Sequence, residues 1–175
     1  KTPLCEASRN GNLDVVNALI HAGAKIDKEG EYSQTPLYIA AAKGLLAVVE
    51  ALVEKGADMD KTTPHEETPL YASCGNGHFD VANTLIEKGA LIDKAESDGC
   101  TPLHIACQNG HTKIVNALIE KGALTDKACT WGETPLHTAS SCGQFKVVET
   151  LIRAKANMNK TTIIFGSTPL HLACQ

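Results

Sequence analysis

Thr101-Pro102-Leu103-His104-Ile105-Ala106 is the stretch that decides the fold, because the chain repeats it. The tripeptide Thr-Pro-Leu begins at Thr2, Thr35, Thr68, Thr101, Thr134 and Thr168. The interval between neighbouring copies is constant from Thr2 to Thr134 and is longer by a single residue before Thr168. A tripeptide that recurs at nearly one period is typical of a protein built from stacked structural repeats. Each stretch from one of these threonines to the next is therefore interpreted as one repeat.

Composition limits the classes of protein that fit the chain. A chain of 175 residues normally forms one globular domain, but a repeat buries its apolar face only against its neighbours. Aromatic residues make up only 4%, which suits thin, closely packed helices. The net charge of −4 offers no basic face, so we expect no nucleic-acid partner. Because no apolar run of about 18 residues occurs, we expect no membrane insertion.

Each repeat predicts a pair of helices. In the fourth repeat, Thr101 is a suitable N-cap and Pro102 fits the first helical position. Gly110 ends this short first helix, where a left-handed turn favours glycine. A second helix is predicted over roughly 112–121, because apolar residues recur at three- and four-residue spacing. Gly122 fits its C-terminal cap.

The polar stretch that follows each second helix predicts a projecting loop. We call these loops fingers 1 to 5. They end directly before Thr35, Thr68, Thr101, Thr134 and Thr168.

These motifs resemble an ankyrin repeat. The resemblance rests on the sequence Thr-Pro-Leu-His-Ile-Ala-Cys-Gln-Asn-Gly-His, which begins at Thr101, and on the later Lys-Gly-Ala at 121–123. Closely similar signatures begin at Thr134 and Thr168. The resemblance implies an all-α repeat solenoid: stacked antiparallel helix pairs with projecting β-hairpin or loop fingers. It also implies that the inner helices and the fingers form the binding surface.

The period divides residues 1–175 into a single array. The predicted repeats are 2–34, 35–67, 68–100, 101–133, 134–167 and a partial repeat, 168–175. Because the chain opens and closes inside the motif, we expect it to be a piece of a longer array. We expect a monomer whose uncapped ends can pack end to end.

Several residues depart from the pattern. Lys155 replaces the capping glycine of the other repeats and would cost about 1 kcal/mol if the left-handed conformation is kept. Ser33 and Glu66 replace the turn glycine that stands two residues before the next threonine, so we expect fingers 1 and 2 to turn differently. Finger 5 carries one extra residue.

The seven cysteines are expected to be reduced thiols, which favours a cytoplasmic or nuclear location. Cys74, Cys107 and Cys174 stand six residues after the repeat threonine, in a slot for a small residue that we expect to be buried. Equivalent positions in adjacent repeats lie about 8–10 Å apart, which is too far for a disulfide. The spacing of the cysteines gives no support for a zinc site.

The histidines and cysteines do not predict an enzyme. Five of the seven histidines occupy repeated positions, where they are expected to hydrogen-bond backbone or threonine: His78, His104, His111, His137 and His171. The Cys107 thiol is expected to be inert rather than an activated nucleophile. We therefore expect no catalysis, no metal and no cofactor.

Positions that vary between repeats are better candidates for binding. One column stands three residues before each repeat threonine and is named the tip column: Tyr32, His65, Asp98, Trp131 and Phe165. Exposed aromatic rings are frequent binding anchors. The alternative is that each ring packs on its own or a neighbouring finger and stiffens it.

Two further columns are candidates. The exposed end of the first helix supplies a second set of partner-binding residues, named the inner-helix column: Lys43, Asn76 and Asn109. A lysine column follows an acidic or amide residue in every finger: Lys28, Lys61, Lys94, Lys127 and Lys160. It is either solvated charge that discourages sheet-edge aggregation or one side of a groove for an acidic partner.

The sequence therefore predicts a non-catalytic scaffold that binds another protein or peptide through the finger tips and the concave inner-helix face. One alternative is a structural segment of a larger protein, such as the cytoplasmic part of a channel or a scaffold, that packs against its own chain. Another is an engineered binder built on the repeat pattern. The irregular finger 5 and the missing glycine at Lys155 disfavour an idealised design.

Overall fold

The computed structural model describes residues 2–174 and contains eleven α-helices in that range. It divides into two compact units, Lys1–Leu91 and Ile92–Gln175. The N-terminal unit holds α1 (Pro3–Arg9), α2 (Leu13–His21), α3 (Pro36–Ala42), α4 (Leu46–Glu54), α5 (Pro69–Gly75) and α6 (Phe79–Glu87). The C-terminal unit holds α7 (Pro102–Gln108), α8 (Thr112–Glu120), α9 (Pro135–Ser141), α10 (Phe145–Arg153) and α11 (Pro169–Ala173).

The helices stack as two layers in each unit. In the N-terminal unit the first helices α1, α3 and α5 pack in sequence, and the second helices α2, α4 and α6 do the same. In the C-terminal unit α7, α9 and α11 form one layer, while α8 packs on α10. The predicted fold class, an all-α array of stacked helix pairs, is confirmed.

Each first helix begins at the repeated threonine. The Thr35 hydroxyl accepts a hydrogen bond from the backbone N–H of Tyr38 at 3.1 Å, and Thr68 caps α5 in the same way at 3.0 Å. Proline occupies the first turn of these helices, where its missing N–H removes no helical hydrogen bond. The motif Thr-Pro-Leu therefore fixes where every helix pair starts.

The first helix of each of the five full repeats ends in a left-handed turn, as predicted. At the end of α7, Gly110 has a φ of 73°, and the next N–H, that of His111, donates to the Ala106 carbonyl at 3.0 Å. This pattern satisfies carbonyl groups that the helix end would leave open.

The core of each unit consists of equivalent aliphatic residues. Leu37, Leu70 and Leu103 are fully buried, and so are Leu52, Leu85 and Leu118 of the second helices. The equivalent of Leu37 in the partial sixth repeat is Leu170, which is 73% exposed. Val15 of α2 is also exposed, although its equivalents in the following repeats are buried: Val48, Val81, Ile114 and Val147. Leu170 lies in the last repeat and Val15 in the first, whereas Leu4, the first-repeat equivalent of Leu170, is buried. Burial of this leucine therefore depends on the repeat that follows it, and burial of the residue at the Val15 position depends on the repeat that precedes it.

The fingers are hairpin-like turns, and no β-strand is assigned in the described range 2–174. In each turn, a backbone hydrogen bond of 2.9–3.1 Å joins the first residue to the last. The bonds are Gly30 N–H to Gln34 O, Thr63 N–H to Glu67 O, Glu96 N–H to Cys100 O, Cys129 N–H to Glu133 O, and Thr162 N–H to Ser167 O. The last turn accommodates the extra residue that the sequence places in finger 5.

The prediction that fingers 1 and 2 turn differently is right for one of them. In finger 1, Tyr32 and Ser33 both have positive φ and lie in a short 3-10 turn, Glu31–Ser33. In finger 2, Glu66 takes a φ of 62° and its N–H donates to the Thr63 carbonyl at 2.9 Å. Gly132 makes the same bond in finger 4. Finger 2 therefore keeps the common turn without glycine, and this part of the prediction is wrong.

Candidate interaction surface

The repeated histidine joins the first helix of a repeat to the finger of the same repeat. In α7, the Thr101 N–H donates to His104 Nδ1 at 3.1 Å, so Nε2 carries the proton and donates to the Glu133 carbonyl at 3.1 Å. His137 bridges Thr134 and the Ser167 carbonyl in the same way. This confirms the prediction that these histidines bond to backbone and threonine.

Burial keeps His104 neutral. The ring is almost completely buried, and desolvation of the charged form is the largest cause that lowers its pKa from 6.5 to about 4. The bond from Nε2 to the Glu133 carbonyl acts in the opposite direction and is outweighed. A neutral ring with both nitrogen atoms engaged has a structural role in this repeat.

In the second repeat, Tyr38 takes the place of the histidine. Its hydroxyl donates to Glu67 Oε2 at 2.6 Å, and Glu67 stands where Glu133 stands two repeats later. Burial, followed by this bond to a carboxylate, raises the pKa of Tyr38 far above its ordinary value. A tyrosine therefore links the first helix of a repeat to the finger of that repeat as the histidine does, but its acceptor is a side-chain carboxylate instead of a backbone carbonyl.

The small-residue slot is buried where a following repeat exists. Cys74 and Cys107 are fully buried, and burial raises the pKa of both thiols far above the ordinary value, as expected for inert cysteines. Cys174 is exposed, so its predicted burial is wrong. All seven cysteines, which lie within residues 2–174, are free thiols.

The acidic and lysine columns form a network between fingers. In the C-terminal unit, Asp93 Oδ1 accepts the Leu124 N–H at 3.1 Å, and the Asp93 carbonyl accepts Lys127 Nζ at 2.7 Å. Asp126 makes the equivalent pair with Asn157 and Lys160 at 2.8 and 2.6 Å. In the N-terminal unit, Asp27 does so with Asp58 and Lys61. These charges therefore connect successive repeats, a role that the sequence interpretation missed.

The inner-helix column lies at the ends of the first helices. Lys43, Asn76 and Asn109 are the C-terminal caps of α3, α5 and α7, and all three are exposed. The Asn76 amide donates to the Ala72 carbonyl at 2.9 Å, which fixes the side chain against its own helix. The column therefore presents polar and charged groups to solvent in each unit.

In the N-terminal unit, the tip column places Tyr32 and His65 in solvent. Tyr32 is 82% exposed and has a φ of 56°, while His65 is exposed at the tip of finger 2. With so little contact area, the Tyr32 ring contributes little packing to its finger.

In the C-terminal unit, backbone hydrogen bonds connect the fingertips. The Asp98 carbonyl accepts the Thr130 N–H at 2.8 Å and the Thr130 hydroxyl at 2.6 Å. The Trp131 carbonyl accepts the Ile163 N–H at 3.0 Å. The tips of fingers 3, 4 and 5 are therefore held side by side, and Asp98 and Trp131 belong to adjacent connected tips.

These connected tips carry an exposed apolar patch. Trp131 is 55% exposed, Ile163 72% and Phe165 85%, and Ile164 is also exposed. We name these four residues the tip patch. The sequence analysis did not identify Ile163 and Ile164 as candidates, because they belong to neither the tip column nor the inner-helix column. The signal for them was Ile-Ile-Phe in a loop where the other fingers have mostly polar residues.

The described part of the chain contains neither a metal-binding cluster nor a helix that could span a membrane. Within residues 2–174, no three His, Cys, Asp or Glu side chains are grouped so that they could hold a metal ion. Every helix in that range is too short or too polar to cross a bilayer.

The stacked helix pairs, left-handed caps and hairpin-like fingers define a helical repeat protein. The family model described as "Ankyrin repeats (3 copies)" matches residues 4–96, 57–128, 91–162 and 124–175. The chain therefore belongs to the ankyrin-repeat family. A search of curated proteins found no match. Ankyrin repeats are in general non-enzymatic modules for protein–protein interaction.

Proposed function

We propose that this chain is a non-catalytic scaffold that binds a partner protein or peptide through its fingertips and inner-helix column. The partner-binding residues are those of the two columns: Tyr32, His65, Asp98, Trp131, Phe165, Lys43, Asn76 and Asn109. The proposal treats residues 1–175 as one functional array.

The observation that carries the proposal is the tip patch. Hydrogen bonds between the tips order the backbone of these loops before binding, so less conformational entropy is lost when a partner covers the tip patch. Trp131 and Phe165 can then serve as anchors, with Ile163 and Ile164 beside them, because buried aromatic residues dominate many protein interfaces. An apolar or aromatic segment of the partner is the complementary chemistry.

The inner-helix column supports a second, polar part of the same surface. Lys43 offers a cation, and Asn76 and Asn109 offer amide groups, which suit hydrogen bonds at the rim of an interface. The free thiols of the chain favour a reducing compartment such as the cytoplasm.

The experiment is a comparative pull-down with the double variant Trp131→Ala/Phe165→Ala. We expect proteins captured by the wild type to be lost from the variant, and the dissociation constant of an identified partner to rise at least tenfold, because two anchors are removed. The matched control is Leu124→Ala, another exposed apolar residue of finger 4 that lies outside the tip patch.

Thermal unfolding decides how the binding result is interpreted. The double variant should melt close to the wild type, since its side chains are largely exposed. The anchor hypothesis is abandoned if the double variant retains the partner, if its stability falls together with binding, or if Leu124→Ala loses the partner equally.

A further inference from the structure

Two thiols meet between fingers 3 and 4 of the C-terminal unit. Cys100 ends finger 3 and is half-buried, whereas Cys129 opens the closing turn of finger 4 and is 7% exposed. The Cys100 thiol is within hydrogen-bonding reach of the Cys129 thiol. The two residues occupy different positions of the repeat, so the period of the sequence does not reveal the pair.

The main chain holds the two cysteines in place. Thr130, next to Cys129, donates from its N–H and its hydroxyl to the Asp98 carbonyl, two residues before Cys100. A Cβ added at Gly99 would lie 3.3 Å from the Cys129 Cα, which shows that the two backbones are in contact. A disulfide requires close backbones and side chains that face each other. The backbones are in contact at this pair, and the two thiols are within hydrogen-bonding reach.

We propose that Cys100 and Cys129 are a modification site that forms an intramolecular disulfide on reaction with a low-molecular-weight disulfide such as oxidised glutathione. Cys100, the more accessible thiol, first gives up its proton and attacks the glutathione disulfide. This forms a Cys100–glutathione mixed disulfide and releases one glutathione. Cys129 then gives up its proton and attacks the Cys100 sulfur, which releases the second glutathione. Both protons pass to the departing thiolates, and the two cysteines are oxidised as one glutathione disulfide is reduced.

The environment of Cys100 determines the rate of the reaction. Burial, with a further contribution from Cys129, raises the pKa of Cys100 to about 12. The thiolate is the attacking species, so the first step is slow at neutral pH. At pH values below that pKa, the rate rises about tenfold with each increase of one pH unit. A pair that is not stabilised as thiolate also gives a disulfide that resists reduction. The disulfide therefore forms slowly and persists.

The test uses a Cys142→Ser/Cys174→Ser background, which removes the two exposed thiols. This protein is incubated with oxidised glutathione at two pH values, and the intact mass is followed over time. We expect the loss of two hydrogen atoms without a glutathione adduct, faster at the higher pH. Fragmentation must place the bond, because the tryptic peptide 95–113 also contains Cys107.

Single substitutions separate the two steps. With Cys129→Ser added, the glutathione adduct on Cys100 should accumulate, since no second thiol can displace it. With Cys100→Ser added, Cys129 should stay unmodified over the same time. Cys107→Ser is the matched control, because serine already occupies its slot as Ser8 and Ser140, and it should leave the disulfide unchanged.

Isotope-labelled alkylation of the wild type gives a second measurement that needs no substitution. Cys100 and Cys129 should become protected together after oxidation, and Cys74 and Cys107 should stay reduced. The proposal is overturned by a stable glutathione adduct on Cys100 while Cys129 is present, by a bond between other cysteines, or by no oxidation of either thiol.

Discussion

His104 illustrates how one side chain is adapted to its place in the repeat. Its ring is buried between Thr101 and the Glu133 carbonyl, and its pKa is lowered to about 4. In the unfolded chain the ring takes up a proton near pH 6.5. The proton therefore binds the unfolded chain first as the pH falls.

The sign of the resulting pH dependence is fixed. Stability from the neutral His104 is fully present above about pH 6.5 and is lost as the pH falls towards about 4. The shift corresponds to about 3 kcal/mol in total. We predict that His104→Tyr loses less unfolding free energy than the wild type between pH 7 and pH 4, as measured by urea denaturation.

Tyr38 shows that a tyrosine fits this position of the repeat, and the reverse substitution Tyr38→His is the control for His104→Tyr. Its hydroxyl reaches Glu67, so a tyrosine at position 104 can reach Glu133 in the same manner. Tyr38→His should increase the pH dependence that His104→Tyr decreases. Equal losses of stability in wild type and His104→Tyr would contradict the prediction.

At the scale of helices, the end of α10 departs from the other second helices. Lys155 has a φ of 62°, and its N–H and that of Ala156 donate to the Ile152 and Leu151 carbonyls at 2.9 and 3.0 Å. Gly122 and Ala123 make the same two bonds after α8. The hydrogen bonds of the cap are therefore retained, and Lys155 bears only the cost of the left-handed conformation.

Exchange of the cap residues measures that cost. We predict that Lys155→Gly raises the free energy of unfolding by about 1 kcal/mol, measured by chemical denaturation. Gly122→Lys should lower it by a similar amount, because a Cβ at Gly122 would meet no atom within 4 Å and the effect is then purely conformational. Opposite signs are expected for the two variants, and a loss of stability in Lys155→Gly would refute the argument.

The helices and their caps were predictable from the sequence because they follow local rules. Threonine before proline, glycine after the last turn and apolar residues at helical spacing each act within a few residues. Glu66 escaped prediction because the cost of a left-handed non-glycine residue, about 1–2 kcal/mol, is small enough for the surrounding turn to offset. The replacement of the turn glycine by Ser33 indicated that finger 1 turns differently, but not that both Tyr32 and Ser33 take positive φ values.

At the scale of the whole molecule, the features that the sequence did not predict are those that depend on contacts with adjacent repeats. Leu170, Cys174 and Val15 carry the same pattern as their buried equivalents and are exposed because they lie in the outermost repeats. The Asp93–Lys127 connection joins residues 34 positions apart. The sequence showed that a lysine recurs in every finger, but not that it bonds to the aspartate carbonyl of the preceding finger. The aromatic residues of the tip column were predictable as binding candidates from the sequence. Ile163 and Ile164 were recognised as part of the same surface only once the structure showed where the fingers lie.

Stacking only against neighbours also predicts how a core mutation spreads. Leu118 is fully buried in α8, so Leu118→Ala should destabilise by about 2–5 kcal/mol. Hydrogen exchange should increase most in α7 to α10 and least in α1 and α2, because coupling in a repeat array passes between adjacent repeats. Leu124→Ala, at an exposed position, is the control and should change exchange little. A uniform increase along the chain would show a single cooperative unit instead.

The connections between fingers also explain where this chain tolerates a change of length. Lys160 reaches the Asp126 carbonyl at the same sequence separation as Lys127 reaches Asp93. The histidine bridge, by contrast, is one position longer from His137 to Ser167 than from His104 to Glu133. The inserted residue therefore lies between Lys160 and Ser167, beyond the lysine connection. A fingertip of this chain therefore gains a residue, and with it a different binding surface, without any change in the lysine connection that holds the finger to its neighbour.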